Sequence, residues 1–341
     1  MNTLTVGVDV SQDTLDVAIA IPESKETIDL GSFPNNQPGF EQIAKEVSQQ
    51  TAQTGPEKVH LIIESTGGYE QPFVCFAIEQ GWHISKPNPN YVRQWAKGTG
   101  GRAKTDKVDA RNLARYGASQ PLPEWKPLPE PIASLEQLLK RQEEIKELLR
   151  QEKNRLHALK AKGKKNKVIF SSVERVIVSL ENELKLIEDE IGHLIQENND
   201  LKEQLERLKT TPGIGNKNGI FFLVMFHRWQ LFSTGKDDDK ALTAYTGLDP
   251  STHQSGTSVH KNARISRQGN SKIRSLLYMG ALSSIRGDNP VATFYHRLVN
   301  RGKAKKVAIV AAARKILIWA WAVFSKKTVF DPNKLLLPVA N

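Results

Sequence analysis

The sequence predicts an α/β domain at the N-terminus, a long α-helical coiled coil in the middle and a mainly α-helical C-terminal domain. Three observations carry that prediction. The short apolar and alternating runs that mark strands all fall before Pro87. Pro121 to Pro131 holds five prolines in eleven residues, which no helix or central strand survives. From Val173 to Leu208 apolar residues step by alternating fours and threes over about five heptads. The expected boundaries are therefore 1–120, a linker at 121–131, a helical hairpin at 132–209 and a C-terminal domain at 210–341.

Thr5 to Val10 is a short apolar run, and Thr14 to Ile21 alternates apolar with polar residues. Ser11, Gln12 and Asp13 lie between them, so the pair reads as a β-hairpin. Thr27 to Phe33 reads as a third strand, and Phe40 to Val47 has helical spacing. Val59 to Ile63 is a buried-type strand, broken by Thr66-Gly67-Gly68. A helix to Gln80 and a strand at His83 to Lys86 follow, and Thr105 to Tyr116 closes the region as a helix. Three antiparallel strands followed by strand–helix alternation is the order of an RNase H-like sheet.

After the linker, Leu135, Leu138, Ile145, Leu149, Leu156 and Leu159 mark one long helix. The heptad run marks the second, with Asn198 on its seam, where a buried Asn would fix register and partner number. The tip from Lys160 to Lys167 is basic, either a solvated turn or a phosphate contact. Thr211-Pro-Gly-Ile-Gly215 is a tight turn before a helix at Gly219 to His227. It is similar to the hairpin of helix-hairpin-helix modules, where backbone N–H groups at a helix start hold a DNA phosphate. A plain structural turn has the same pattern.

The chain has 341 residues and a formal net charge of +11, an excess that favours a polyanionic partner over a neutral one. Between Ser255 and Lys315 lie thirteen Lys and Arg, and Asp288 is the only acid, so the charge is concentrated near the C-terminus. Cys75 is the only cysteine, which excludes an intrachain disulfide and a Cys-based zinc site and fits a reducing cytoplasm. The N-terminus has no basic stretch before an apolar core, so no signal peptide is expected. Val307 to Phe324 is apolar, but Arg314 and Lys315 sit at its centre, at about 2.5–3.5 kcal/mol each in a bilayer. A buried helix is expected there, and no membrane.

Asp9 ends the first strand among apolar neighbours, and Glu64 does the same after Val59 to Ile63. A buried strand carboxylate must be paired, protonated or bound to metal. Asp106 and Asp109 are three apart, so a helix puts them on one face. Four acids at one point repel, and a divalent ion is the physical reason to gather them. Oxygen ligands suit Mg²⁺ (or Mn²⁺). Singly, each acid has a plainer role as a turn acceptor, a helix N-terminal charge or half of a surface pair. Ser255-Gly-Thr-Ser258 precedes the basic run. A serine there could attack phosphorus and conserve bond energy in a covalent phosphoserine, although the same four residues also read as an ordinary polar loop.

Gly7-Val-Asp9 with Thr14-Leu-Asp-Val17, Glu64-Ser-Thr-Gly-Gly-Tyr69 and Lys104-Thr-Asp-Lys-Val-Asp-Ala-Arg111 form three N-terminal blocks. Thr211-Pro-Gly-Ile-Gly215, Tyr245-Thr-Gly-Leu-Asp-Pro250 and Ser255-Gly-Thr-Ser258 form three more. Together they resemble the DEDD transposases of insertion sequences, relatives of the Piv/MooV DNA invertases that include bridge-RNA-guided recombinases. The resemblance covers nearly the whole chain. It implies that Asp9, Glu64, Asp106 and Asp109 are the Mg²⁺-binding tetrad of a RuvC-like domain and that Ser255 is the nucleophile, with Ser258 the alternative in the same loop. His260-Lys261 stands where some relatives have Arg-Gly.

Expected nucleic-acid contacts are Lys104, Gly213, Gly215, Lys261, Arg264, Arg267, Lys272, Arg274, Lys303, Lys305 and Lys306. The resemblance also implies donor and target DNA, a bridge RNA, a homodimer through the coiled coil and a tetramer on DNA in a prokaryotic cytoplasm. The competing readings are a metal-dependent nuclease or junction resolvase without a covalent intermediate, an actin-like ATPase, and a non-enzymatic bridging protein.

Overall fold

β1 (Thr3–Val10) and β2 (Thr14–Ala20) form the expected antiparallel hairpin, in register from Thr5 opposite Ala20 to Val10 opposite Leu15. Ser11 sets the turn: its hydroxyl accepts from the Thr14 amide at 2.9 Å. In the computed structural model the described residues are 3–21, 26–55, 58–65, 67–99, 106–161, 166–233, 238–251, 254–255, 259–260 and 264–335. The chain divides into two compact units, Met1–Pro127 with Leu231–Thr234, and Leu128–Gln230 with Gly235–Asn341. The expected hairpin and C-terminal domain both fall in the second unit.

In the first unit β3 (Thr27–Pro34) pairs antiparallel with β2. α1 (Gln37–Thr54) starts where the Asn36 side chain accepts from the Gly39 amide, and it ends at left-handed Gly55. β4 (Lys58–Ile63) pairs parallel with β1. α2 (Gln71–Glu79) leads to β5 (His83–Ser85), parallel to β4. The strand order is β3-β2-β1-β4-β5, the mixed sheet expected of an RNase H-like domain. Two helices follow. α3 (Pro89–Gly98) was not expected from the sequence; α4 (Asp106–Ser119) was.

Alternation assigns the faces of the sheet. Leu4, Val6, Val8, Leu61 and Ile63 point to one side, into a core with Phe40, Ile43, Phe73 and Val74. Each such fully buried side chain contributes about 1.5–3 kcal/mol. Ile62 points to the other side and packs with Val92 of α3 and Leu113 of α4. Under the turn after β4, Glu70 and Lys86 form a buried ion pair at 3.3 Å, with side chains 6% and 8% exposed. The Lys86 ammonium also lies 4.2 Å from the centre of the Trp125 ring.

In the second unit α5 (Ile132–Ala161) and α6 (Lys167–Glu197) pack through Leu149, Val173 and Ile177. Gln142 meets Glu188 and Lys153 meets Glu181, so the helices run antiparallel. The seam does not run unbroken to Leu208. α6 stops at Glu197, and Asn198 has extended backbone and caps α7 (Asn199–Lys209), accepting from the Leu201 amide at 3.0 Å. An Asn side chain competes for backbone N–H groups, which makes it a helix starter here instead of a buried seam residue.

α8 (Asn216–Phe232) and α9 (Asp239–Thr246) come next. Four two-residue strands follow: β6 (Pro250–Ser251), β7 (Gln254–Ser255), β8 (Val259–His260) and β9 (Arg264–Ile265). α10 (Ser271–Ser284), α11 (Pro290–Asn300), α12 (Lys305–Ser325) and a 3₁₀ turn (Pro332–Leu335) complete the unit. α12 is long and apolar enough to cross a membrane, yet half of its apolar window is buried inside the fold. Ala308, Ala312, Ile316, Leu317 and Ala320 are all buried, which makes it a core helix.

Candidate active site

β1, β4 and the start of α4 bring the candidate acid positions to one edge of the sheet. The β1–β4 register runs from Thr3 opposite Lys58 to Val8 opposite Ile63, so the next step brings Asp9 level with Glu64. Both strands end at the same edge of the sheet. Asp9 is two residues from Gly7 and therefore points to the same face. That face is covered by α4: a Cβ on Gly7 would lie 2.2 Å from the Ala110 carbonyl oxygen and 2.3 Å from the Ala114 amide nitrogen. Only glycine permits so close an approach. One on Gly117 would meet Thr5, further back along β1, and the side chain of Ile62. The helix thus runs against the direction of β1, and its first turn lies at the strand ends, beside Asp9 and Glu64.

Asp109 precedes Ala110 and stands in that first turn; it is partly buried, as are Asp9 and Glu64. Asp106 is the first residue of α4, and its side chain lies outside the described residues. Among the described residues no three His, Cys, Asp or Glu side chains stand close enough to hold one ion. Among the described residues the acids at this edge, Asp9, Glu64 and Asp109, offer carboxylate oxygens, the chemistry that suits Mg²⁺ or Mn²⁺.

Asp16 is a fourth described acid at this edge, absent from the sequence expectations. It is the direct cross-strand partner of Asp9 and is 9% exposed. Like charges directly opposite repel, so a cation, a proton or a hydrogen-bond donor must relieve the pair. Alternation with Leu15 and Val17 puts it on the polar face of the strand, so nothing in the sequence marked it as buried. Arg111, in the third block, is bound by Asp29 of β3, with Nε donating to Oδ1 at 2.8 Å. That contact, which raises the Arg111 pKa, ties α4 to β3.

Ser255 lies in the second unit, on a ribbon where a polar loop was also open. β6 pairs with β9 and β7 with β8, and Ser255 is the Cα partner of Val259, the last pair before the tip. The side chains of Ser255 and Lys261, the tip with Ser258, and Lys104 in the first unit lie outside the described residues. The root of the ribbon is well tied. The Ser266 hydroxyl donates to the Asp249 carboxylate, and the Ser266 amide donates to the Asp249 carbonyl at 2.9 Å. Arg274 donates to the Thr246 and Gly269 carbonyls at 3.2 and 3.0 Å, bracing both arms.

Arg274 therefore has protein partners, and so does Lys272, which binds Glu143 at 2.6 Å. Arg264, Arg267, Lys303, Lys305 and Lys306 are exposed. In the Pro-Gly-Ile-Gly turn, Gly213 has φ +90°, and a Cβ there would meet Ile316 at 2.8 Å and the Gly280 carbonyl at 2.9 Å. The Gly215 amide donates to Asn218 Oδ1 at 2.7 Å, so that N–H already has a partner within the turn. A cleft of about 620 Å³ beside it is lined by Ile214, Lys217, Leu276 and Met279.

A DEDD transposase family model of the IS110 type matches residues 6–160, and a transposase model of the IS116/IS110/IS902 family matches residues 205–296. The chain is 33% identical over 332 residues to the pilin gene-inverting protein of Moraxella lacunata, covering 97% of this chain and 98% of the relative. The Moraxella bovis pilin gene-inverting protein matches to the same extent. The uncharacterized 43.6 kDa protein of insertion element IS110 from Streptomyces coelicolor is 28% identical over 124 residues, 36% of this chain and 29% of that protein. A solved structure of T. thermophilus RuvC with a Holliday junction substrate overlaps 36% of this chain and 99% of that one, at 14% identity and a TM-score of 0.26.

Proposed function

The chain belongs to the IS110 family of DEDD transposases, and from that premise we propose that it cuts and exchanges DNA strands with a carboxylate tetrad and a serine nucleophile. The tetrad is Asp9, Glu64, Asp106 and Asp109, and the nucleophile is Ser255. The observation that carries the reading is the convergence of Asp9, Glu64 and the first turn of α4 at one edge of the sheet.

Mg²⁺ bound there would supply charge stabilisation to both the attacking and the leaving oxygen of a phosphodiester. The four acids hold the ions and fix where the scissile phosphate sits. Gly7 brings the α4 acids within reach of the strand acids. Attack by Ser255 Oγ forms an Oγ–P bond and breaks a P–O bond to deoxyribose. The phosphoserine keeps the bond energy, so a sugar hydroxyl of a second strand can displace it. The exposed Arg264, Arg267, Lys303, Lys305 and Lys306, with Lys104 and Lys261, neutralise phosphates, and the Gly213–Gly215 turn adds a backbone contact. Lys272 and Arg274 are proposed phosphate contacts too, held in place by Glu143 and by the Thr246 and Gly269 carbonyls. The partners are donor and target DNA and a bridge RNA, and the α5–α6 hairpin joins two copies, which pair again on DNA in the cytoplasm.

The test is incubation with the element's end DNA, the flanking non-coding RNA and Mg²⁺, followed by a search for protein covalently attached to DNA. An adduct in wild type, lost in both Ser255→Ala and Asp106→Ala, is the expected result. Cleavage without an adduct, surviving Ser255→Ala and lost in Asp106→Ala, would leave a metal nuclease or resolvase instead.

A further inference from the structure

The β1–β4 ladder stops one residue short of the acids, at Val8 opposite Ile63. Beyond that pair β1 continues to Val10 beside β2 alone and then turns at Ser11–Asp13, while β4 ends and its chain turns at Gly67–Glu70 after Glu64. No β1–β4 ladder bond holds the two turns together. One side chain from a third place does. Asn35 stands at the corner between β3 and α1, and its Nδ2 donates to the Ser11 carbonyl at 3.0 Å and to the Tyr69 carbonyl at 3.1 Å. The Gln12 carbonyl lies at 3.4 Å from the same nitrogen. The Asn35 amide donates to the Asp13 carbonyl at 2.9 Å.

The rest of the corner is fixed as well. Asn36 caps α1 through the Gly39 amide at 3.2 Å, and its own amide donates to the Pro34 carbonyl at 2.9 Å. The orientation of the Asn35 amide has a cost. Its Oδ1 is buried and has no hydrogen-bond partner among the described residues. A buried acceptor left unmade is unfavourable. Turning the amide over would face that oxygen with three carbonyls, so the observed orientation is the one that bonds both turns.

We propose that Asn35 is a positioning residue of the metal site, a strut that fixes the spacing of Asp9 and Glu64 by bonding the turn that follows each. The proposal rests on the reading of those acids as metal ligands. A strut of this kind governs how tightly the acids hold an ion, and it touches neither the ion nor DNA. Replacing groups that orient ligands weakens metal binding by about 10–100-fold.

The experiment measures Mn²⁺ binding to the full chain without DNA, by the loss of free-ion paramagnetic signal, beside thermal melting. Asn35→Ala and the milder Asn35→Ser are compared with Asn36→Ala, which removes the α1 cap next door without touching either turn. Asn36→Ala is expected to lower the melting temperature and leave Mn²⁺ affinity within twofold of wild type. Asn35→Ala is expected to weaken Mn²⁺ binding by about tenfold or more, and Asn35→Ser to do so while staying folded. If folded Asn35→Ser binds Mn²⁺ as wild type does, the strut is overturned. If Asn36→Ala weakens Mn²⁺ binding as much as Asn35→Ser, the effect is general loosening and the proposal is again overturned. Asp9→Asn separates the premise: undiminished Mn²⁺ binding in that variant would overturn the assignment of the acids, whatever Asn35 does.

Discussion

Replacing Gly7 by alanine adds one methyl group where α4 crosses β1. That carbon would sit 2.2 Å from the Ala110 carbonyl oxygen and 2.3 Å from the Ala114 amide nitrogen. Ordinary carbon contacts are about 3.5 Å, so the helix must lift by roughly 1 Å. Both obstacles are backbone, which no rotamer change can move aside. Overpacking of this kind costs about 1–3 kcal/mol, and the upper end applies here. A shift of about 1 Å in catalytic groups costs about 10²-fold in rate. Gly117→Ala is the internal control on the same helix. Its methyl would meet side-chain atoms instead of backbone, Ile62 Cγ1 at 2.3 Å and Cδ1 at 2.6 Å, so Ile62 and not the helix backbone has to give. Urea denaturation and the rate of Mg²⁺-dependent DNA cleavage are the assays. Gly7→Ala should lose about 3 kcal/mol and most activity, and Gly117→Ala less of each. A Gly7→Ala protein as stable and active as wild type would refute the placement of α4 over the strand ends.

Other consequences can be measured in the same way. Lys86→Met leaves the Glu70 carboxylate buried beside an apolar group and should destabilise by about 3–5 kcal/mol in urea, with Glu70→Gln added to the same chain recovering part of the loss. Asn198→Leu discriminates a continuous seam from a capped break: a seam gains stability, whereas loss of the α7 cap costs about 1 kcal/mol, and the loss is expected. His227 and His60 both have pKa values lowered by burial, with His83 adding to the shift at His60. Their neutral forms suit the fold, so this stability is present above the unfolded value of 6.5 and is lost as pH falls through the lowered folded values. The urea midpoint should drop between neutral and mildly acid pH, and His227→Gln should flatten that slope.

The strands were legible because Leu15, Val17 and Ile19 alternate and Val59 to Ile63 is a short apolar run, but the alternation hid that β2 is central and buried on both faces. Asp9 and Glu64 stood out as charges ending apolar runs. α3 was hidden by Pro87-Asn-Pro-Asn90, which reads as a turn, although Asn88 and Pro89 there serve as cap and first residue of a helix. The break at Asn198 was invisible to periodicity, since an Asn fits both a seam and a cap. The ribbon under Ser255 has strands of two residues, too short to alternate. Asn35 was illegible for a different reason: its partners lie 24 and 34 residues away, and Pro34-Asn35-Asn36 reads locally as a turn and nothing more.

The direction of α4 has an electrical consequence. A helix carries a partial positive charge of about half a proton at its N-terminus, felt most within the first turn. By running against β1, α4 aims that end at Asp9, Glu64 and its own Asp109. Each acid so placed is stabilised by about 0.3–1 kcal/mol at low ionic strength. The fold thus offsets part of the repulsion among its acids with its own backbone, before any ion arrives. If those acids hold an ion as proposed, the empty site costs the fold less, and the chain can fold before the ion is bound.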